Sequence, residues 1–145
     1  MAIRVVTDSG ADLTPSLAQP LAIEVVSLVV TSGGTAYEDT KLSTEQFWRM
    51  ARSEDGVKTS QPPLGAFRRA FDALVAQGHD VLCPTITGRH SGTFNSAWGA
   101  AQDLSGRVHV FDTRSLSMAQ GWQVMHAAEM ALRGATMEQI TAALA

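Results

Sequence analysis

Residues 82–97 read Leu-Cys-Pro-Thr-Ile-Thr-Gly-Arg-His-Ser-Gly-Thr-Phe-Asn-Ser-Ala and contain the change of pattern that decides the fold. A short apolar run ends at Ile86, a polar segment follows, and apolar residues at helical spacing begin with Phe94. This order predicts a strand, a loop and a helix. The first amides of such a helix lack intrahelical partners and lie at the positive end of its dipole, so the loop favours an anion.

Hydroxyl side chains and glycines in this loop favour the binding of an anion. Ser91 and Thr93 add hydroxyl donors to the helix amides, while Gly88 and Gly92 allow backbone angles or close approach that a side chain would obstruct. A purely structural interpretation stays open, because serine and threonine at the start of a helix commonly cap it.

Strand and helix patterns alternate along the whole chain. Strands are predicted at 3–7, 21–31, 81–86 and 107–111, with a turn at 32–35 and a partner strand at 35–38. Helices are predicted to begin at Thr14-Pro15 and at the capping boxes Ser43/Gln46 and Thr136/Gln139. Apolar stripes at 67–75, 94–104 and 118–132 predict three further helices. This alternation predicts the α/β class, a mostly parallel sheet flanked by helices in a Rossmann-like three-layer arrangement.

The last long stripe contains Met118, Trp122, Met125, Ala128 and Leu132. Large apolar residues at helical spacing are more often core than ligand contacts, so we expect this stripe to be buried.

Ligands of such sheets bind beyond the carboxyl ends of the strands. Three loops belong to that edge: 7–10, which carries Asp8 and Ser9, then 87–93, and then 112–117. Thr59 and Ser60 are predicted to lie in a loop that two prolines stiffen before the next helix, and they are candidates to join the same edge. Turn chemistry is the alternative explanation of these two hydroxyls.

Length and composition favour one soluble domain. The 145 residues are 45% hydrophobic, carry a net charge of −3 and have no basic run, which argues against nucleic acid as a partner. The single cysteine, Cys83, lies in an apolar run and suits packing in a cytoplasmic protein. The N-terminal residues move straight into a strand pattern, so neither a signal peptide nor membrane insertion is expected.

Familiar catalytic patterns are absent from the sequence. There is no G-x-G-x-x-G or Walker pattern and no cluster of metal ligands, so no cofactor or metal is expected. The enzymatic alternative is a serine hydrolase that uses Ser91, although the loop departs from the G-x-S-x-G elbow. His90 is a weak candidate base, and nothing in the spacing selects His126 with Asp112 or Asp8 for a triad.

Binding is the remaining chemistry. Hydroxyls and amides suit a carboxylate or phosphate, which would be costly to bury without donors, and nearby apolar faces suit a hydrophobic tail. An amphipathic anion such as a fatty acid satisfies both requirements.

Four motifs in register then become recognisable: Val6-Thr7-Asp8-Ser9; Thr59-Ser60-Gln61-Pro62; Ser91-Gly92-Thr93 with Asn95-Ser96-Ala97; and Asp112-Thr113 with Ser115 and Ser117-Met118. Across essentially the whole chain this pattern resembles the DegV family of bacterial fatty-acid-binding proteins. The resemblance implies an α/β domain at residues 1–145, of the DegV N-terminal type, as the first half of a two-domain protein whose second domain is absent here.

The resemblance also implies a function. A long-chain fatty acid would lie in an enclosed tunnel, its carboxylate held by Thr59 and Ser91, with Ser60, Gly92, Thr93 and Asn95 nearby. The protein would be a carrier rather than an enzyme, and a separate ATP-dependent fatty acid kinase would phosphorylate the bound fatty acid. One departure is Thr-Gly-Arg-His before the serine, where small or aliphatic residues and a lysine are common. Arg89 and His90 either add local positive charge or, as we expect, are solvated surface.

Overall fold

A computed structural model describes residues 2–104 and 106–145 of the chain. The strands are β1 (Ile3–Asp8), β2 (Glu24–Val26), β3 (Val29–Ser32), β4 (Thr35–Glu38), β5 (Lys58–Ser60), β6 (Asp80–Thr85) and β7 (Val108–Asp112). The helices are α1 (Pro15–Ala18), α2 (Thr44–Ala51), α3 (Leu64–Ala76), α4 (Thr93–Ala101), α5 (Met118–Leu132) and α6 (Met137–Leu144). Short 3₁₀ turns occupy Ser9–Ala11, Gln19–Leu21 and Asp39–Lys41.

The main sheet is parallel and has the strand order β2-β1-β6-β7. Its central strands send neighbouring side chains to opposite faces, as strand geometry requires. Val6 and Cys83 join a core with α3 and α4, whereas Val5 and Leu82 join a core with α5 and α6. The predicted α/β class and its three layers are therefore confirmed.

A second, smaller sheet holds β4, β3 and β5 in antiparallel order. The predicted hairpin around residues 32–35 is confirmed, but the predicted continuous strand at 21–31 is wrong. That apolar run divides into β2, which pairs with β1 in the main sheet, and β3, which belongs to the small sheet. The prolines do stiffen an approach to α3, but Thr59 and Ser60 are not in a loop: they lie in β5, opposite Val30 and Val29.

Local sequence signals fix several helix ends. Ser43 with Gln46 and Thr136 with Gln139 form the two predicted capping boxes. None of the helices in the described part of the chain is both long and apolar enough to cross a membrane.

The expected burial of the whole 118–132 stripe is wrong. Met125 and Ala128 are buried, but Trp122 is 68% exposed and Leu132 is 62% exposed. Half of the buried residues of α5 are small: Gly121, Ala127 and Ala128. A carbon atom added at Gly121 would lie only 2.6 Å from the carbonyl oxygen of Ala11, so α5 packs too closely there for a side chain.

Candidate functional site

The three loops that follow β1, β6 and β7 meet at one edge of the main sheet. The Thr87 amide donates to the Ser115 carbonyl oxygen at 2.9 Å, and the Ser117 amide donates to the Gly10 carbonyl oxygen at 2.8 Å. The Gly88 amide lies 3.2 Å from both carboxylate oxygens of Asp112. Main-chain amides thus join the loops to one another at the edge where such sheets bind ligands.

Asp8 and Ser9 lie beneath this edge. Asp8 is fully buried, and its carboxylate accepts from the amides of Gly10 at 2.9 Å and Ile86 at 2.8 Å, and from Gln120 Nε2 at 3.1 Å. The Ser9 hydroxyl accepts from the Leu28 amide at 2.9 Å, just before β3. These bonds favour a role in holding the loops and the small sheet in place over direct contact with a ligand.

Burial raises the pKa of Asp8, and the hydrogen bonds from Ile86, Gln120 and Gly10 oppose that rise. The folded protein therefore binds this proton more tightly than the unfolded chain, whose reference pKa is 3.8. Consequently, the contribution of Asp8 to the free energy of unfolding increases as the pH falls from the raised pKa towards 3.8.

We expect Asp8→Asn to destabilise the chain at neutral pH by about 1–3 kcal/mol, because an amide nitrogen would face one of these three donors. The difference in the free energy of unfolding between the native chain and the variant should widen as the pH falls from the raised pKa of Asp8 towards 3.8. Urea unfolding between neutral and mildly acidic pH measures both effects. Asp103→Asn, whose side chain is 85% exposed, is the matched control. A pH-independent difference would contradict the assigned burial of the Asp8 charge.

The loop before α4 carries Ser91. Its Oγ lies 2.8 Å from Thr93 Oγ1 and accepts from the Thr93 amide at 3.2 Å. The N-cap position belongs to Gly92, which offers no capping side chain, and the first helical bond runs from the Ser96 amide to the Gly92 carbonyl. The amides of Phe94 and Asn95 therefore stand in the first turn, where helix geometry leaves donors without intrahelical acceptors.

The Thr-Ser-Gln-Pro segment lies against the start of α4. Ser96 Oγ donates to the Pro62 carbonyl at 2.7 Å, and a carbon added at Gly92 would lie 3.1 Å from the Gln61 amide group. Thr59 and Ser60 precede this contact at the end of β5 and are exposed. Ser91 and Gly92 are half-buried, Asn95 is exposed and Thr93 is fully buried. The structure thus brings the segments of both hydroxyl motifs together.

The loop between β7 and α5 holds two non-glycine residues at positive φ. Arg114 has φ 52°, and Ser117 has φ 54° with ψ −144°, a region almost confined to glycine. Each such conformation costs on the order of 1–3 kcal/mol and persists only where surrounding contacts impose it.

The bonding of Ser91 bears on the hydrolase alternative. Within residues 2–104 and 106–145, the partners of its hydroxyl are the hydroxyl and amide of Thr93, and no histidine is bonded to it. The carboxylate of Asp8 is occupied by the donors described above, and that of Asp112 by main-chain amides. In the described part of the chain, no group of three or more His, Cys, Asp or Glu side chains is placed to hold a metal ion. The arrangement offers donors to an anion rather than a base to a nucleophile.

Sequence reasoning missed Gln120. It is fully buried on α5, where its Nε2 donates to Thr7 Oγ1 at 3.2 Å as well as to Asp8. One signal was available, since Gln120 is a polar residue adjoining the close-packed Gly121 on a helix that otherwise buries apolar residues.

Comparisons with known proteins identify the family of this chain. The sequence model of the DegV family, described as uncharacterised proteins, matches residues 2–145. The chain is 39% identical over 142 residues to the DegV domain-containing protein YejH of Lactococcus lactis, covering 97% of this chain and 51% of that relative. This chain belongs to the DegV family.

Solved structures of DegV family proteins have the same fold as this chain. A DegV family protein from Thermus thermophilus, described by its fatty acid binding, superposes with a TM-score of 0.92 at 35% identity, covering 99% of this chain and 52% of that one. DegV of Bacillus subtilis, described as a fatty acid binding protein, superposes with a TM-score of 0.90 at 28% identity, with 99% and 52% covered. The chain therefore spans about half the length of the relatives it matches.

Proposed function

We propose that this chain binds a long-chain fatty acid by its carboxylate, with Ser91 and Thr59 as hydroxyl donors. The observation that carries the proposal is the contact between the Thr-Ser-Gln-Pro segment and the start of α4, fastened by the bond from Ser96 Oγ to the Pro62 carbonyl. It sets two hydroxyl motifs and the free amides of a helix N-terminus beside one another, and an ionised carboxylate needs such donors when it leaves water.

Other residues support this site indirectly. Gly92 admits the close approach of Gln61, and Thr93 orients the Ser91 hydroxyl through their mutual bond. Ser60 and Asn95 are exposed beside the two donors and form its rim. Asp8 and Ser9 hold the loops from below. The fatty acid binding described for the relatives from Thermus thermophilus and Bacillus subtilis supports the same ligand class.

The role that follows is that of a carrier. We infer that the bound fatty acid is presented to a separate ATP-dependent fatty acid kinase, so that any phosphoryl transfer is done by that partner and this chain needs no cofactor of its own. A carrier that serves an ATP-dependent enzyme belongs in the cytoplasm. Residues 1–145 would form the carboxylate-binding half, and a second domain of similar size would enclose the tail.

Titration of the purified, delipidated chain with palmitate, followed by calorimetry, tests this proposal. We expect saturable binding with one fatty acid per chain, and organic extraction of untreated protein should release a fatty acid. Absence of both would contradict the proposal. A fluorophosphonate probe separates the hydrolase alternative, because a carrier should not be labelled at Ser91.

A further inference from the structure

Ser117, the residue before α5, has a backbone conformation that serine rarely adopts. Its φ of 54° and ψ of −144° lie in a region almost confined to glycine. Glycine would take this conformation without steric cost, because it has no Cβ atom. A serine in this conformation must be compensated by surrounding contacts. One of those contacts is made by its own side chain, whose hydroxyl donates to Asp12 Oδ2 at 2.6 Å.

Ser117 joins the β7–α5 loop to the turn that follows β1. Its amide donates to the Gly10 carbonyl at 2.8 Å, and its hydroxyl donates to Asp12 at the end of the same turn. Asp12 closes this turn by donating its amide to the Ser9 carbonyl at 3.1 Å, and it too has a positive φ, of 52°. Two residues with positive φ, far apart in sequence, are thus bonded to one another.

The β7–α5 loop leads from Ser117 to the segment that carries Ser91. Two residues before Ser117, the Ser115 carbonyl accepts from the Thr87 amide at 2.9 Å. The Thr87 carbonyl in turn accepts from the His90 amide at 3.3 Å, in the turn that immediately precedes Ser91. A shift of the β7–α5 loop therefore moves the residues that lead into the carboxylate site.

A second route connects Ser117 to the same segment through buried groups. The Gln120 amide donates to the Ser117 carbonyl at 3.0 Å, and the Gln120 side chain donates to the Asp8 carboxylate at 3.1 Å. That carboxylate also accepts from the amides of Gly10 at 2.9 Å and Ile86 at 2.8 Å. Because Gly10 is itself bonded to the Ser117 amide, these groups form a closed ring of hydrogen bonds beneath the site.

We infer that Ser117 is a positioning residue for the carboxylate site: with Asp12, it holds the β7–α5 loop in the geometry that orients the segment before Ser91. The inference rests on the proposed function and adds how the site is kept ready for its ligand. Loops that already have the bound geometry lose less conformational freedom when the ligand arrives, and the affinity is higher as a result. A serine in place of a glycine at this position strengthens binding rather than the fold.

Calorimetric titration of Ser117→Gly with palmitate tests the inference. Glycine keeps the backbone conformation and relieves its strain but loses the bond to Asp12, so palmitate affinity should fall by more than about threefold. Urea unfolding should show that the variant remains folded under the titration conditions. Ala22→Gly is the matched control, because Ala22 also has a φ of 52° but is bonded to Gln19 and Arg4, outside the three loops. It should leave the affinity unchanged.

Two substitutions of Asp12 separate the side-chain bond from the backbone. Asp12→Asn keeps an acceptor for the Ser117 hydroxyl and tolerates the positive φ, so it should retain the native affinity for palmitate. Asp12→Gly removes the acceptor and should lower the affinity as much as Ser117→Gly does. Combining Asp12→Gly with Ser117→Gly should cause no further loss, because both remove the same bond.

Hydrogen exchange of the Thr87 amide reports on the loops without a ligand, and it should quicken by about threefold or more in Ser117→Gly. The inference is overturned if this exchange is unchanged, if Ser117→Gly or Asp12→Gly keeps palmitate affinity within about threefold of the native value, or if Ala22→Gly lowers it equally. A native chain that binds no palmitate would instead refute the proposed function, whatever the exchange of Thr87 shows.

Discussion

Ser91→Ala should weaken fatty acid binding by about tenfold or more. A hydrogen bond to a charged group contributes about 1.5–3 kcal/mol, and each 1.4 kcal/mol corresponds to roughly a factor of ten in affinity. Thr59→Val removes the second hydroxyl while keeping a β-branched side chain in β5, so it should lower affinity by a similar amount. Calorimetric titration with palmitate measures both effects.

Stability must be separated from binding in this experiment. The Ser91 hydroxyl also accepts from the Thr93 amide, so its loss should cost the fold about 0.5–1.5 kcal/mol. Ser53→Ala is the matched control, because that hydroxyl donates to the Met50 carbonyl at 2.7 Å near the end of α2, outside the three loops of the site. It should leave palmitate affinity unchanged. If Ser91→Ala binds palmitate as tightly as the native chain, the Ser91 hydroxyl does not contact the ligand.

Gly121→Ala should destabilise the chain by about 1–3 kcal/mol, the usual cost of overpacking a close contact. The added carbon would meet the Ala11 carbonyl oxygen at 2.6 Å, and this oxygen belongs to the backbone and cannot rotate away. Either α5 or the 3₁₀ turn after β1 must move, and that turn carries the Gly10 carbonyl that receives the Ser117 amide. Urea unfolding measures the change.

Gly65→Ala provides the control for this substitution. Gly65 lies in α3, and an added carbon would approach only the end of the Arg69 side chain, at 3.7 Å. Alanine should therefore stabilise the helix there, by up to about 1 kcal/mol. If both variants have the native stability, the close packing of α5 against the turn is not as described.

The main sheet could be predicted because its signals are local and strong. β1 and β6 are runs of apolar residues that end in turn residues, and the capping boxes of α2 and α6 mark helix starts by side-chain chemistry alone. The small sheet was harder to predict from the sequence, because β5 consists of only three residues, all exposed, with no alternation of apolar and polar side chains. Its pairing with β3 depends on contacts between distant segments.

The orientation of α5 was misjudged for a physical reason. Large apolar residues dominate any hydrophobic periodicity, so the predicted buried face of α5 included Trp122 and Leu132. The helix instead buries Gly121, which packs closely against the 3₁₀ turn after β1, and Ala127; residues this small add little to such a pattern.

The candidate site was predictable only as a set of residue types. Hydroxyls, glycines and a helix start in residues 87–93 indicate an anion site, and parallel strand order brings the neighbouring loops to it. The burial of Asp8 and its bonds to Ile86 and Gln120 depend on segments far apart in sequence. No local pattern distinguishes such a supporting carboxylate from a ligand-binding one.

The most direct measurement is the nuclear magnetic resonance signal of palmitate that carries an isotope label on its carboxyl carbon, titrated with this chain. We expect a bound carboxylate signal, shifted from that of the free ligand, which is lost in the double variant Thr59→Val, Ser91→Ala. The Ser53→Ala variant should retain it. The same bound signal in the double variant would contradict the claim that these two hydroxyls hold the carboxylate.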